Sequence, residues 1–210
     1  MKKDIVWLLI CLLPLFGFSQ INTLNKGIRI AYGMSNIHDQ KLNSSFGYKP
    51  SYSICLFIDD NLKRNLSYRV ELSFSNKGTK QLPLEKTINL NYITANQLVG
   101  KHFKKVKTAL YAGIYEGYLL NPQFDLGYNG FYYYFNVLDF GLTLRPSIVV
   151  LAKNQISLQL DFETSYSLVS VYNNTNQLTL TTPESAWTRN FCFNIGINLV
   201  FAPGRKSKFM

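Results

Sequence analysis

Apolar and polar residues alternate along four stretches of this chain, the pattern of strands with two unlike faces. In 138–150, Phe140, Leu142, Leu144, Pro146, Ile148 and Val150 oppose Asp139, Gly141, Thr143, Arg145, Ser147 and Val149. In 156–167, Ile156, Leu158, Leu160, Phe162 and Tyr166 oppose Ser157, Gln159, Asp161, Glu163, Ser165 and Ser167. The stretch 191–201 sets Phe191, Phe193, Ile195, Ile197, Leu199 and Phe201 against Cys192, Asn194, Gly196, Asn198 and Val200. The stretch 66–75 sets Leu66, Tyr68, Val70, Leu72 and Phe74 against Ser67, Arg69, Glu71, Ser73 and Ser75. Four weaker stretches, 26–34, 51–58, 87–100 and 108–120, complete a set of eight predicted strands. The phase of the last two is ambiguous, and a bulge near Tyr92–Thr94 accounts for the break in 87–100. No stretch has the periodicity of an amphipathic helix.

The connections alternate in length. Residues 35–50, 76–86, 121–136 and 168–186 are long, whereas 59–65, 101–107 and 151–155 are short. A membrane barrel has short periplasmic turns and longer outer loops in this order, and a soluble meander has no reason to alternate. The order places both mature termini in the periplasm. The N-terminus reads as a secretory signal: Lys2 and Lys3, an apolar run from Ile5 to Phe18, and small Gly17 and Ser19 before a cut at Gln20. Residues 1–19 are therefore expected to be removed, leaving a barrel over 20–201 and a short basic tail, 202–210.

Alternation does not say which face meets water. A soluble periplasmic lipid carrier holds its apolar face inward, and a membrane barrel inverts this. Lysine discriminates. The chain has 14 Lys after residue 19, and none falls on the polar face of the four clear strands; all are read as turn, loop, strand-start or tail residues. A water-facing sheet uses Lys freely. The charges that do fall there are Arg69, Glu71, Asp139, Arg145, Asp161 and Glu163, with Arg29 added from the first strand. They read as a paired network filling a narrow lumen, because buried charges must pair. Aromatics near predicted strand ends, among them Tyr48, Tyr52, Tyr68, Phe103, Tyr166, Phe191 and Phe201, suit interfacial girdles.

Four motifs carry a family likeness. They are Glu71-Leu72-Ser73-Phe74-Ser75-Asn76-Lys77-Gly78, then Ala112-Gly113-Ile114-Tyr115-Glu116-Gly117-Tyr118-Leu119-Leu120, Leu138-Asp139-Phe140-Gly141-Leu142, and Ile195-Gly196-Ile197-Asn198-Leu199-Val200-Phe201. Through them the chain resembles the small outer-membrane β-barrels of the PorT-like type over essentially its whole mature length. The resemblance implies an outer-membrane location. Some members are linked to protein secretion and surface motility.

Composition adds candidate chemistry sparingly. The chain has 210 residues, a formal charge of +10 and 15% aromatic residues. The basic balance comes from scattered Lys with no Gly-rich phosphate loop, so lipid headgroups are expected partners and nucleic acid is not. His38 lies near Ser35, Asp39, Ser44 and Ser45, the residue types of an acyl hydrolase or transferase acting on outer-leaflet lipid, but without ordered spacing. His102 sits in a basic turn and reads as solvated. Cys55 and Cys192 have no metal-site spacing and fall two strand spacings apart, beyond disulfide reach, so two free thiols are expected. The third long loop carries Phe124 and Tyr128 and runs into Phe131, Tyr132, Tyr133, Tyr134 and Phe135. This is either a contact surface or the outer girdle of the sixth strand. The resulting expectation is an eight-stranded, antiparallel, up-and-down transmembrane β-barrel without catalytic residue, cofactor or metal. Its expected role is that of a surface scaffold or binding protein, or an accessory subunit of an envelope complex with an unidentified protein partner. The lipid enzyme using His38 and the soluble lipid carrier remain the alternatives.

Overall fold

The computed structural model describes residues 24–39, 46–81, 86–124, 135–171 and 188–202. Residues 1–19, read as a signal sequence, and most of the 202–210 tail lie outside the described residues. The strands are β1 (Asn25–Asp39), β2 (Phe46–Gly47), β3 (Lys49–Asn61), β4 (Leu66–Gln81), β5 (Lys86–Phe103), β6 (Thr108–Phe124), β7 (Leu138–Lys153), β8 (Ile156–Ser167) and β9 (Thr188–Phe201). β2 pairs with β4 beyond the end of β3, so it continues β3 past Tyr48 and the wall has eight staves. Every pairing is antiparallel, in the order β4-β3-β1-β9-β8-β7-β6-β5, and β4–β5 pairing closes the cylinder.

Following paired residues once round the wall visits Lys26, Ile58, Val70, Gln97, Ile114, Leu142, Tyr166 and Phe191. The circuit returns to β1 at Asn36, ten residues from its start. Eight strands spaced by about 4.8 Å, offset by ten residues of about 3.3 Å, tilt by about 40° from the barrel axis. The three short connections turn through left-handed residues: Arg64 and Asn65, Lys107, and Asn154. Of these, the Asn side chains tolerate positive φ best.

The apolar faces point outward. Ile30, Leu56, Leu72, Leu142 and Ile197 are each half or more exposed, while the opposite faces of the same strands are closed off inside. On β9 the outward series runs from Phe191 to Phe201. That is about 33 Å of strand and, at this tilt, about 25 Å of height, the thickness of the apolar band of an outer-membrane barrel. The soluble lipid carrier is excluded by the same observation, since its apolar face would line the interior.

The strands outrun their sequence-based limits at the long-loop end, where β1 reaches Asp39 and β4 reaches Gln81. The expected break in β5 is absent. Its even-numbered residues from Ile88 to Gly100 all face inward without interruption. What changes along β5 is the lumen, which is apolar around Ile88, Leu90 and Tyr92, polar at Thr94 and Asn96, and apolar again at Leu98. The irregularity lies across the ladder, where Asn91 pairs Asn121 and Tyr92 pairs Leu119, leaving Leu120 of β6 as the extra residue. A second bulge leaves Val150 of β7 unpaired against β8.

A closed hydrogen-bonded cylinder resists detergent until heated. Unheated protein is expected to run faster on a detergent gel than boiled protein; identical mobility would contradict closure.

Candidate functional site

Seven charged side chains form one alternating chain through the lower and middle lumen. Asp161 binds Arg29 through two guanidinium nitrogens, with Nη2 at 2.8 Å and Nε at 2.9 Å. Arg29 reaches on to Glu163 at 3.2 Å. Arg145 bridges Glu163, at 2.5 Å, and Glu71, whose two carboxylate oxygens it grips as a fork. Glu71 lies 3.9 Å from Arg69, which donates to Asp59 at 2.8 Å. The order is thus carboxylate, guanidinium, carboxylate, with a carboxylate at each end. Arg suits these links because its planar fork meets two oxygens at once.

Neutral groups complete the coordination. Asn198 donates to Asp161 at 2.6 Å, Asn96 to Glu71 at 2.9 Å and Tyr111 to Asp59 at 2.9 Å. The Arg69 guanidinium is sandwiched between the rings of Phe57 and Tyr111, 4.2 and 4.1 Å from their centroids. This stacking supplies attraction on both faces of a cation that has lost its water. Gly196 makes the Arg29–Asp161 link sterically possible. A β-carbon there would lie 2.5 Å from Asp161 Oδ1 and 2.7 Å from Arg29 Nε.

Asp139 does not join this chain. It pairs with Lys77 at 3.2 Å and accepts from Tyr115 and Asn190. The Lys77 ammonium also sits 4.0 Å from the Tyr115 ring centre. Three members of the interior escaped the sequence reading. Asp59 was assigned to a turn, yet β3 runs through it to Asn61. Lys49 and Lys77 were assigned to loops, yet both are buried in the lumen. Lys49 is held by Asn76 and by the Lys77 carbonyl. The missing signal was strand length: the same inward phase, carried two residues further at either end, reaches all three. With them the described interior holds five cations and five carboxylates.

The lumen is layered. Above the ion chain lies a hydroxyl-lined void of about 20 Å³, bordered by Ser53, Ser73, Ser75, Thr94, Thr143 and Ser165. That is room for about one water molecule. Above the Lys77–Asp139 pair, Ile37, Ile88, Leu90, Tyr92, Leu119, Phe135 and Val171 form an apolar plug at the long-loop end. Phe135 is 3% exposed and Asn136 ties its segment to 170–171 through both backbone and side chain. Phe135 therefore belongs to the plug and not to a girdle. Tyr128 and Phe131 to Tyr134 lie outside the described residues, as does the side chain of Phe124.

Of the residues of the enzymatic reading, Ser35 and His38 are not brought together. Ser35 points into the lumen and donates to the Gly78 carbonyl, whereas His38, three residues on, is exposed on the opposite face of β1. Ser44 and Ser45 lie outside the described residues. His102 is not simply solvated: it is half-buried, bonded to Ser67 at 2.9 Å and edge-on to Tyr111. Ser67 is fully enclosed, so this pair offers no nucleophile to a substrate. Cys55 and Cys192 are free and buried. Cys55 lies opposite Arg29 and Cys192 opposite Ser35 of the strand between them, so they are also six residues, about 20 Å, apart along that strand.

Removing Arg145 strands two buried carboxylates. Arg145→Met is expected to cost about 3–5 kcal/mol, read as a lowered urea midpoint for loss of the fast-migrating form. Glu71→Gln added to it should recover part of that loss. Gly196→Val, which drives a branched side chain into the Arg29–Asp161 pair, should reduce the folded fraction more than Gly117→Ala, where the atom nearest an added β-carbon is Tyr92 Cδ1 at 3.2 Å.

No curated protein matches this chain in sequence. Solved structures do. The Neisserial surface protein A matches with a TM-score of 0.50 at 11% identity, covering 83% of this chain and 96% of that one. OprG of Pseudomonas aeruginosa, an outer membrane protein, gives 0.49 at 9% identity over 85% and 95%. Ail, the attachment invasion locus protein of Yersinia pestis, gives 0.43 at 10% over 85% and 99%. At these identities the first likeness speaks for the fold alone. The profile of the family described as outer membrane protein beta-barrel domain matches residues 17–173, most of the chain. With its apolar belt, closed eight-stave wall and charge-paired interior, the chain belongs to that family of small outer-membrane β-barrels.

Proposed function

We propose that this barrel is a non-catalytic scaffold or binding protein, acting through its long-loop rim as an accessory subunit of an envelope complex. What supports this reading is the plugged lumen: an apolar cluster fills one end and a continuous ion chain crosses the other. Eight staves leave room for side chains and not for an aqueous path. Chemistry inside the wall has no access, and no group of three metal-binding side chains occurs among the described residues. Recognition is thereby left to the outer surface.

In this reading residues 1–19 direct export, and the short turns and both mature termini face the periplasm. The tail 202–210 and the turn at 101–107 then meet inner-leaflet headgroups, and the long loops face outward. The aromatic run with Phe124, Tyr128, Phe131, Tyr132, Tyr133 and Tyr134 is its first candidate contact surface, for a protein or for outer-leaflet lipid. The secretion and motility roles of PorT-like barrels are the nearest functional setting.

An epitope inserted at Asn129 should be reached by antibody on intact cells, and one appended after Met210 only after the membrane is opened. The opposite pattern would invert the barrel and end this reading. Purified protein in a planar bilayer should show no unitary conductance; regular steps would make it a channel.

A further inference from the structure

The lipid-facing surface has one polar line. On β4 to β6 the outward residues at mid-height include Val70, Leu72, Ile93, Val99, Ala112 and Ile114, all apolar. Tyr68, Gln97 and Glu116 interrupt them, each half-buried on the outward face of its strand. Gln97 pairs with Val70, two residues beyond Tyr68, and with Ile114, two residues before Glu116. The three thus occupy successive diagonal positions. At a tilt of about 40°, a step of one strand sideways and two residues upward cancels horizontally and adds to about 8 Å vertically. The three side chains therefore stack along a line parallel to the barrel axis. Gln97 is the third of the eight steps of a circuit that climbs about 25 Å, which puts it about 9 Å inside the apolar band.

The Tyr68 hydroxyl donates to Gln97 Oε1 at 2.9 Å. Among the described residues no acceptor meets the Gln97 carboxamide N–H groups, and on a lipid-facing wall a donor without an acceptor is costly. Two upright barrels touch along just such a vertical line. A carboxamide is also its own complement, donor to acceptor and acceptor to donor, when related by a two-fold axis along the membrane normal.

We propose that this line is the contact between two copies of this chain, with Gln97 meeting Gln97 of the second copy in mid-membrane. Glu116, which has a partner within its own chain, stands about 8 Å nearer the long-loop end. Two such carboxylates facing one another weaken the pair and keep it reversible.

The test uses Gln97→Cys in the full chain with Cys55→Ala and Cys192→Ala, oxidised in phospholipid bilayers after gel mobility confirms a closed barrel. A band of doubled mass should form at least five-fold more than for Ile197→Cys, which faces lipid on β9, four strands away in either direction. In the otherwise unaltered chain, Gln97→Leu should convert the dimer seen by native mass spectrometry to monomer. Glu116→Gln should leave or raise the dimer fraction. Equal cross-linking at Gln97 and Ile197 would overturn the proposal. So would a dimer indifferent to Gln97→Leu. A fall with Glu116→Gln would do the same, because it would mean that Glu116 holds a cation on a different partner.

Discussion

The structure depends on a single constraint: an eight-strand cylinder has an interior too narrow for bulk water and too polar in sequence for an oil core. Ionised groups inside it lose hydration worth several kcal/mol each, and only close, multiply bonded opposite charges recover that cost. The chain Asp161–Arg29–Glu163–Arg145–Glu71–Arg69–Asp59 meets the demand link by link, and Lys77–Asp139 meets it separately. These residues come from six strands: β1, β3, β4, β7 and β8, with Asn198 supplied by β9. The network can therefore form only once the wall has closed. It acts as a set of cross-braces and ties registry on one side of the barrel to registry on the other.

That arrangement determines where function can reside. The ion chain seals the short-turn half, and the plug of Ile37, Leu90, Tyr92, Leu119, Phe135 and Val171 seals the long-loop end. Between them remains space for about one water. Among the described residues these side chains occupy the interior, and this supports the proposed reading of a non-catalytic barrel. In the proposed reading, contact falls to the rim and to the lipid-facing wall, where Tyr68, Gln97 and Glu116 interrupt an otherwise apolar stretch of β4 to β6.

Much of the fold is legible in the pattern of residues. Period two in 138–150, 156–167 and 191–201 marks strands, alternating loop lengths mark the up-and-down order, and the lack of Lys on the polar faces of these stretches points to the lumen, although Lys49 and Lys77 enter it further along β3 and β4. Less legible was the phase of β5. Its inward face is apolar at Ile88, Leu90 and Tyr92 and polar at Thr94 and Asn96, so a fixed geometry looks like a slipped one. Strand length was underestimated for a related reason. Beyond the membrane the outward face need not be apolar, so Lys77 and Lys49 read as loop residues although the ladder continues through them.

The sequence by itself determined that there are eight staves, the two-faced character of the four clear stretches, most of the charges in the lumen and the expectation that they pair. It could do so because alternation and charge type are local properties, carried by neighbours two residues apart. Which cation meets which carboxylate, that Asp139 stands apart with Lys77, and that Tyr68, Gln97 and Glu116 align along the wall were decided only by tertiary structure. These depend on the ten-residue offset acquired in closing eight tilted strands, a number set by all eight pairings together and written in no single one.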